Sequence, residues 1–265
     1  MATVNDVYCE INRKAPFSLQ EGFDNAGFLV GHGNMEVHQI VVSLDITRRV
    51  IEEAVGLGAE LIVSHHPVIF NAQKSITGES GSGRTLLALI EHQIAAICAH
   101  TNLDAVRGGV NDCLAAALNL CEVDQLHTSG IDQNGSPYGI GRVGRLSGGG
   151  MPFMEFAGMV KRALRSNGLR YVDTGKPVVR VAVGGGSCGN MLSDAIACGC
   201  DTFVTSDIKY DTFLDAEAAG INLIDAGHFP TENIVCPVLA GWLREAFPSV
   251  AVTESAVHRE VISYL

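Results

Sequence analysis

The chain has 265 residues, 47% hydrophobic and 18% charged, with a formal net charge of −11 when histidine is neutral. That supplies a core for one large domain or two medium ones and excludes a disordered chain. The acidic balance, a single Trp and the lack of a basic stripe argue against nucleic acid as a partner. No apolar run approaches the roughly 18 residues that a membrane span needs, so no membrane association is expected.

In chain order, short apolar runs alternate with amphipathic stretches. "QIVVSL" (39–44) reads as a strand. "TRRVIEEAVGLG" (47–58) reads as a helix with Val50, Ile51, Ala54, Val55 and Leu57 on one side and Gly58 as its C-cap. "LIV" (61–63) is a strand, "RTLLALIEHQ" (84–93) a helix, "IAAICA" (94–99) a strand and "GVNDCLAAALNL" (109–120) a helix. A Gly- and Ser-rich zone (127–150), with the turn dipeptide Asn134-Gly135 and a candidate edge strand "GIGRVGRL", marks the crossing between halves. The alternation then resumes. A helix over 151–167, a strand over 178–184 and a further helix, strand, helix and strand lead to 227. A helix over 231–247 carries Pro237, where it kinks or restarts, and "SVAVTES" and "REVISY" read as closing strands. The class is therefore α/β: two similar α/β lobes, residues 1–126 and 127–265, with mixed sheets flanked by helices.

Open α/β sheets gather functional groups beyond the carboxyl ends of their strands. After "LIV" come His65 and His66; after "IAAICA", His100 and Asp104; after "INLIDAG", His228 and Glu232. Four of the nine histidines thus fall at three strand ends with carboxylates nearby. Imidazole and carboxylate together suit Zn, Mn, Fe, Co or Ni. Neighbouring side chains on an extended segment point to opposite faces, so His65 and His66 suit two adjacent ions better than one. Such ions sit roughly 3.5–4 Å apart, and Glu232 or Asp104 could bridge them. The other histidines read as structural, His258 among them, as a spacer before the last strand. "GGGSCG" (184–189) fits a dinucleotide fingerprint formally but reads better as a tight strand-to-helix turn.

"FDNAGFLVG" (23–31), "SLDIT" (43–47), "SHHPVIF" (64–70), "AHTNLDA" with "GGVND" (99–112) and "DAGHFPTE" (225–232) resemble the Nif-three-like family, whose members are often labelled GTP cyclohydrolase I type 2 homologs. The resemblance implies a Nif-three-like fold. It also implies two divalent metal ions per chain on His65, His66, Asp104, His228 and Glu232, with Glu232 touching both, and a ring-shaped homohexamer with its sites facing an inner cavity. This chain has only a short linker where longer members carry an inserted middle domain. Phe23 replaces a usual Trp, and "TSDIKYD" (205–211) departs from the family pattern, so Ser206, Asp207 and Asp211 are expected to alter the cavity wall. The function expected is that of a metal-dependent hydrolase acting on a nucleotide or phosphoester, a small-molecule substrate, with His100 as proton carrier or support to the ligands. The alternative is a metal-handling or regulatory interaction protein without turnover.

The N-terminus carries early acidic residues and no apolar core, which points to a cytoplasmic location with reduced cysteines. No C-x-x-C pair occurs among the eight cysteines. Titrating the denatured, unreduced protein should therefore find all eight thiols. A disulfide, or loss of bound metal on replacing Cys198 and Cys200 with serine, would contradict this.

Overall fold

The computed structural model describes residues 2–132 and 135–265, so Asn134 of the expected Asn-Gly turn lies outside the described residues. By contact the chain divides into two units, Met1–Leu103 with Val235–Arg259, and Asp104–Ile234 with Glu260–Leu265. These bounds differ from a crossing at 126/127, because the chain returns to the first unit to complete its sheet.

The first unit begins with α1 (Val4–Lys14), β1 (Gly27–Val30), β2 (Gln39–Ser43), α2 (Arg48–Leu57), β3 (Leu61–Ser64), α3 (Gly81–Glu91) and β4 (Ala95–Cys98). The helix α4 (Thr101–Ala105) crosses the boundary. The second unit contains α5 (Val110–Ala117), β5 (Leu120–Gln125), β6 (Gly130–Ile131), β7 (Pro137–Tyr138), β8 (Arg142–Leu146), α6 (Phe153–Ala163), β9 (Arg170–Val172) and β10 (Arg180–Val183). It continues through α7 (Leu192–Ala197), β11 (Thr202–Thr205), α8 (Tyr210–Ala219), β12 (Asn222–Asp225) and α9 (His228–Glu232). Back in the first unit come α10 (Cys236–Ala246) and β13 (Ala251–Glu254).

In the first unit the sheet order is β1-β4-β3-β2-β13, parallel except for β1. The interior strands β3 and β4 are buried at every position, as expected of parallel strands covered on both faces. Thr47 caps α2 through Val50 N–H, and Gly58 ends it at φ 67°, a conformation that suits glycine. Val50, Ile51 and Ala54 face the core, but Val55 and Leu57 are exposed, so the apolar stripe is narrower than the sequence suggests.

In the second unit the order is β5-β8-β10-β11-β12-β9, with β10, β11 and β12 parallel and the others antiparallel to their neighbours. The expected edge strand is β8, and it is interior, because β5 pairs outside it. Exposed Cys121 and Glu122 interrupt the apolar pattern of β5 and hide it from a periodicity reading. Pro237 lies in the first turn of α10 and separates it from α9, so the expected 231–247 helix restarts there. "REVISY" forms no strand. The Glu53 carboxylate accepts from Ser255 Oγ and, at 2.8 Å, from the Ala256 N–H that a ladder would otherwise use. Among the described residues no helix is long and apolar enough to cross a membrane.

A buried arginine knits the start of the second unit to β8. Arg142, 2% exposed, donates to Asp112 at 2.9 and 3.1 Å, to Gln125 at 2.8 Å, and to the carbonyls of Val106, Gly139 and Gly141 at 2.9–3.0 Å. Removing one partner of a buried charged network leaves the others desolvated and unmatched. Arg142→Met should cost about 3–5 kcal/mol of stability. The check is urea denaturation followed by circular dichroism, and an unchanged midpoint would contradict it.

Candidate metal centre

The register of the first sheet places one part of the site. Ser43, Ser64 and Cys98 are paired across β2, β3 and β4, so these parallel strands end flush. Two residues further on, each strand carries a side chain of interest: Asp45, His66 and His100. His65 is fully buried and its Nδ1 lies 2.8 Å from the Ala99 carbonyl. A carbonyl only accepts, so that Nδ1 carries the hydrogen and Nε2 is the lone-pair nitrogen of the neutral ring. His66 Nδ1 lies 2.7 Å from Asp45 Oδ1, and His100 Nδ1 lies 2.7 Å from Asp24 Oδ1. The three rings pack with centroids 5.0–5.6 Å apart. One ring nitrogen from each lies within 4.8 Å of the others. The expected opposition of His65 and His66 does not hold. β3 stops at Ser64 and the chain bends, so the alternation of an extended strand no longer applies.

The carboxylates behind the rings are firmly held. Burial pushes the Asp24 carboxyl up, yet hydrogen bonds from His100 and from Thr101 outweigh it and bring it down to about 2. Asp45 is likewise raised by burial but held well below the usual carboxylate range by His258 and His66.

The second unit repeats the device. Thr205 and Asp225 are paired on β11 and β12, so Asp207 and His228 emerge at neighbouring strand ends. His228 Nδ1 lies 2.6 Å from Asp207 Oδ2. Asp207 takes φ 52°, an uncommon conformation for a non-glycine residue. On α9, His228 and Glu232 are four residues apart and share a face, with Nε2 3.0 Å from Oε2. Glu232 is 3% exposed and Asp104 is 7% exposed. Asn111 ties their surroundings together. Its Nδ2 donates to the Asp104 carbonyl at 3.0 Å and its Oδ1 accepts from Gly185 N–H at 2.9 Å.

The "GGGSCG" turn is built around Glu232. Gly186 has φ 63°, and a Cβ there would collide with the Glu232 carboxylate. The glycines therefore make room for a carboxylate of this chain. Burial pushes the Cys188 thiol far up, and the charges of Asp104 and Glu232 add to it, which leaves a protonated thiol unsuited to metal. Among the described residues no disulfide links the cysteines.

These residues fit a divalent ion. His65, His66, His100 and His228 all hold Nδ1 against an oxygen acceptor, the arrangement that fixes ligating imidazoles. The contact between His228 Nε2 and Glu232 Oε2 brings two lone-pair atoms together if the ring is neutral. A second proton on the ring or a cation resolves that repulsion. Within the first unit the structure brings together His65, His66 and His100; within the second it brings together His228 and Glu232, with Asp104 beside the same Gly-rich turn. The acceptors behind the rings, Asp24, Asp45 and Asp207, were not identified as such in the sequence. Asp207, expected to alter a cavity wall, holds the His228 ring through Nδ1. Asp211 is exposed in the first turn of α8, where it accepts from Thr212 N–H.

Sheets of parallel strands with imidazoles and carboxylates at flush strand ends define an α/β protein with a candidate metal-binding site. The Duf34/NIF3 (NGG1p interacting factor 3) family model matches residues 2–260, and the chain belongs to that family. A "GTP cyclohydrolase 1 type 2 homolog" of Clostridium perfringens is 37% identical over 230 residues, 86% of each chain. The Staphylococcus aureus protein SA1388 superposes with a TM-score of 0.91 at 29% identity, covering 99% of both chains. A Bacillus cereus protein related to NIF3 shares the fold, with a TM-score of 0.94 at 23% identity over 100% of this chain and 99% of the other.

Asp24 gives a pH test. Its folded value of about 2 lies below the ordinary 3.8, so its contribution is present above pH 4 and is lost as pH falls toward 2. The difference corresponds to about 2 kcal/mol. In chelator-treated protein, the stability gap between wild type and Asp24→Asn should narrow by about that amount between pH 5 and about 2. A gap independent of pH, measured by urea denaturation, would contradict the assignment.

Proposed function

We propose that the protein binds two divalent ions, with His65, His66, Asp104, His228 and Glu232 as their ligands. We propose further that this binding serves a hydrolase acting on a nucleotide or phosphoester. The observation that carries the reading is the common Nδ1 anchoring of four imidazoles, together with two buried carboxylates beside one glycine turn. The donor set suits Zn, Mn, Fe, Co or Ni. When bound, paired divalent ions supply Lewis acidity that makes a water acidic near neutral pH.

The chain's own residues do the rest. Glu232 would help hold the ions, and its negative charge would offset their mutual repulsion. His100, with Nδ1 held by buried Asp24, presents Nε2 as the atom that passes a proton to or from the reacting group. The name of the relatives carries the words GTP cyclohydrolase, and nucleotides are therefore among the substrates to try. A homohexamer in the cytoplasm, with sites facing an inner cavity, belongs to the same reading.

Two variants test it. His66→Ala removes a ligand of one ion and should retain about one metal per chain, whereas Glu232→Gln removes that negative charge and should retain less. Elemental analysis after equal metal exposure and desalting decides between them. Equal occupancy in the two variants, or full occupancy in Glu232→Gln, would overturn that role of Glu232. Turnover of nucleotides, cyclic dinucleotides and generic phosphoesters should require metal and disappear in His66→Ala. Bound metal with no turnover would favour a metal-handling protein.

A further inference from the structure

We infer that His258, on the C-terminal segment, is a positioning residue for the His66 imidazole, acting through Asp45, and that it governs one of the two ions. This rests on the two-ion reading above.

The geometry lies wholly within the first unit. β13 runs parallel to β2, with Glu254 paired to Val42, so the chain emerges from β13 at the same carboxyl edge that carries Asp45 and His66. Ser255 N–H reaches the Val42 carbonyl at 2.8 Å, and the Glu53 carboxylate then takes Ser255 Oγ and Ala256 N–H. His258 N–H donates to Ser255 Oγ at 3.2 Å. The segment is thus turned and pinned, and the His258 side chain is 8% exposed. Its Nε2 lies 3.0 Å from Asp45 Oδ2, which it grips as an N–H donor; the Asp45 N–H, 3.1 Å away, faces the same nitrogen and does not share that bond. The other oxygen, Asp45 Oδ1, lies 2.7 Å from His66 Nδ1. One carboxylate therefore spans two imidazoles, one oxygen to each.

The second imidazole matters because Asp45 is half-exposed, at 40% for its side chain. A carboxylate held from one side alone rotates about its terminal torsion, which is broad. Gripping both oxygens removes that freedom and fixes the direction in which His66 presents Nε2. The other imidazoles have separate anchors: Ala99 O for His65, Asp24 for His100 and Asp207 for His228. Loss of His258 should therefore weaken the ion held by His66 and spare the other.

The test uses full-length protein stripped with chelator and titrated with Co(II) alone, read by calorimetry and by visible absorption. His258→Phe keeps a buried ring but loses the polar atom. It should weaken one of two Co(II) equivalents about 10–100-fold, leave the other unchanged and alter the absorption band. His258→Gln, whose amide nitrogen reaches near the place of Nε2, should restore most of the affinity. Asp45→Asn should weaken the same equivalent, and the double variant should be little worse than Asp45→Asn, since the two act as one chain of contacts. Should His258→Phe fail to fold, Asp45→Asn alone decides: it must weaken one equivalent and spare the other, and both equivalents unchanged would overturn the inference. Additive losses, or both equivalents unchanged in His258→Phe while His66→Ala loses one, would overturn this inference alone. Unaltered cobalt binding in His66→Ala would overturn the metal reading, and this inference with it.

Discussion

Register among parallel strands is the constraint on which the site depends. Pairing of Ser43, Ser64 and Cys98 sets three strand ends level, and the side chains two residues beyond them meet as a consequence. These strands are packed on both faces, so a register slip of one residue would misplace every buried Val and Ile of β2 to β4, and that packing holds the ends in place. Chemistry at the edge is thus specified by packing in the middle. The second sheet repeats the arrangement, with Gly186, Asp207 and His228 at the ends of β10, β11 and β12.

Level strand ends alone would leave imidazoles free to rotate. Each ring is fixed by an acceptor behind it, and the acceptor's own cost is met locally. Asp24 is buried but receives His100, Thr101 N–H and Thr101 Oγ1. Asp207 holds a strained φ of 52° and aims its carboxylate at His228. Gly186 yields the space that Glu232 occupies. The strain, the glycines and the buried acids all serve the direction in which a few lone pairs point.

Much of this was legible in the sequence. Apolar runs ending in histidine identify strand ends without any structure, and the α/β alternation follows from periods of two and 3.6 residues. The orienting residues were not legible, for a physical reason. Asp24 lies 76 positions from His100, Asp45 lies 21 from His66 and His258 lies 213 from Asp45, so only strand pairing makes them neighbours. His258 was further obscured because "REVISY" has the alternation of a strand, whereas Glu53 captures Ser255 and Ala256 and diverts the chain. The interior place of β8 was hidden similarly, since β5 exposes Cys121 and Glu122 and carries no clear period.

The two donor sets differ in electrostatic character, and this bears on how a metal would be held. The first unit contributes imidazoles whose anchors set the direction of their rings, and imidazole selects for ion type and geometry more than for charge. The second contributes Asp104 and Glu232, both buried and both acting on Cys188 as negative charges. Burying two carboxylates near each other is unfavourable unless protons or cations neutralise them. A divalent ion would remove that penalty without protonating the carboxylates, so the carboxylates would supply most of the driving force for binding and the imidazoles its selectivity. The same logic explains why thiols are absent from the donor set. Beside two carboxylates and deep in an apolar core, Cys188 keeps its proton and stays a packing residue.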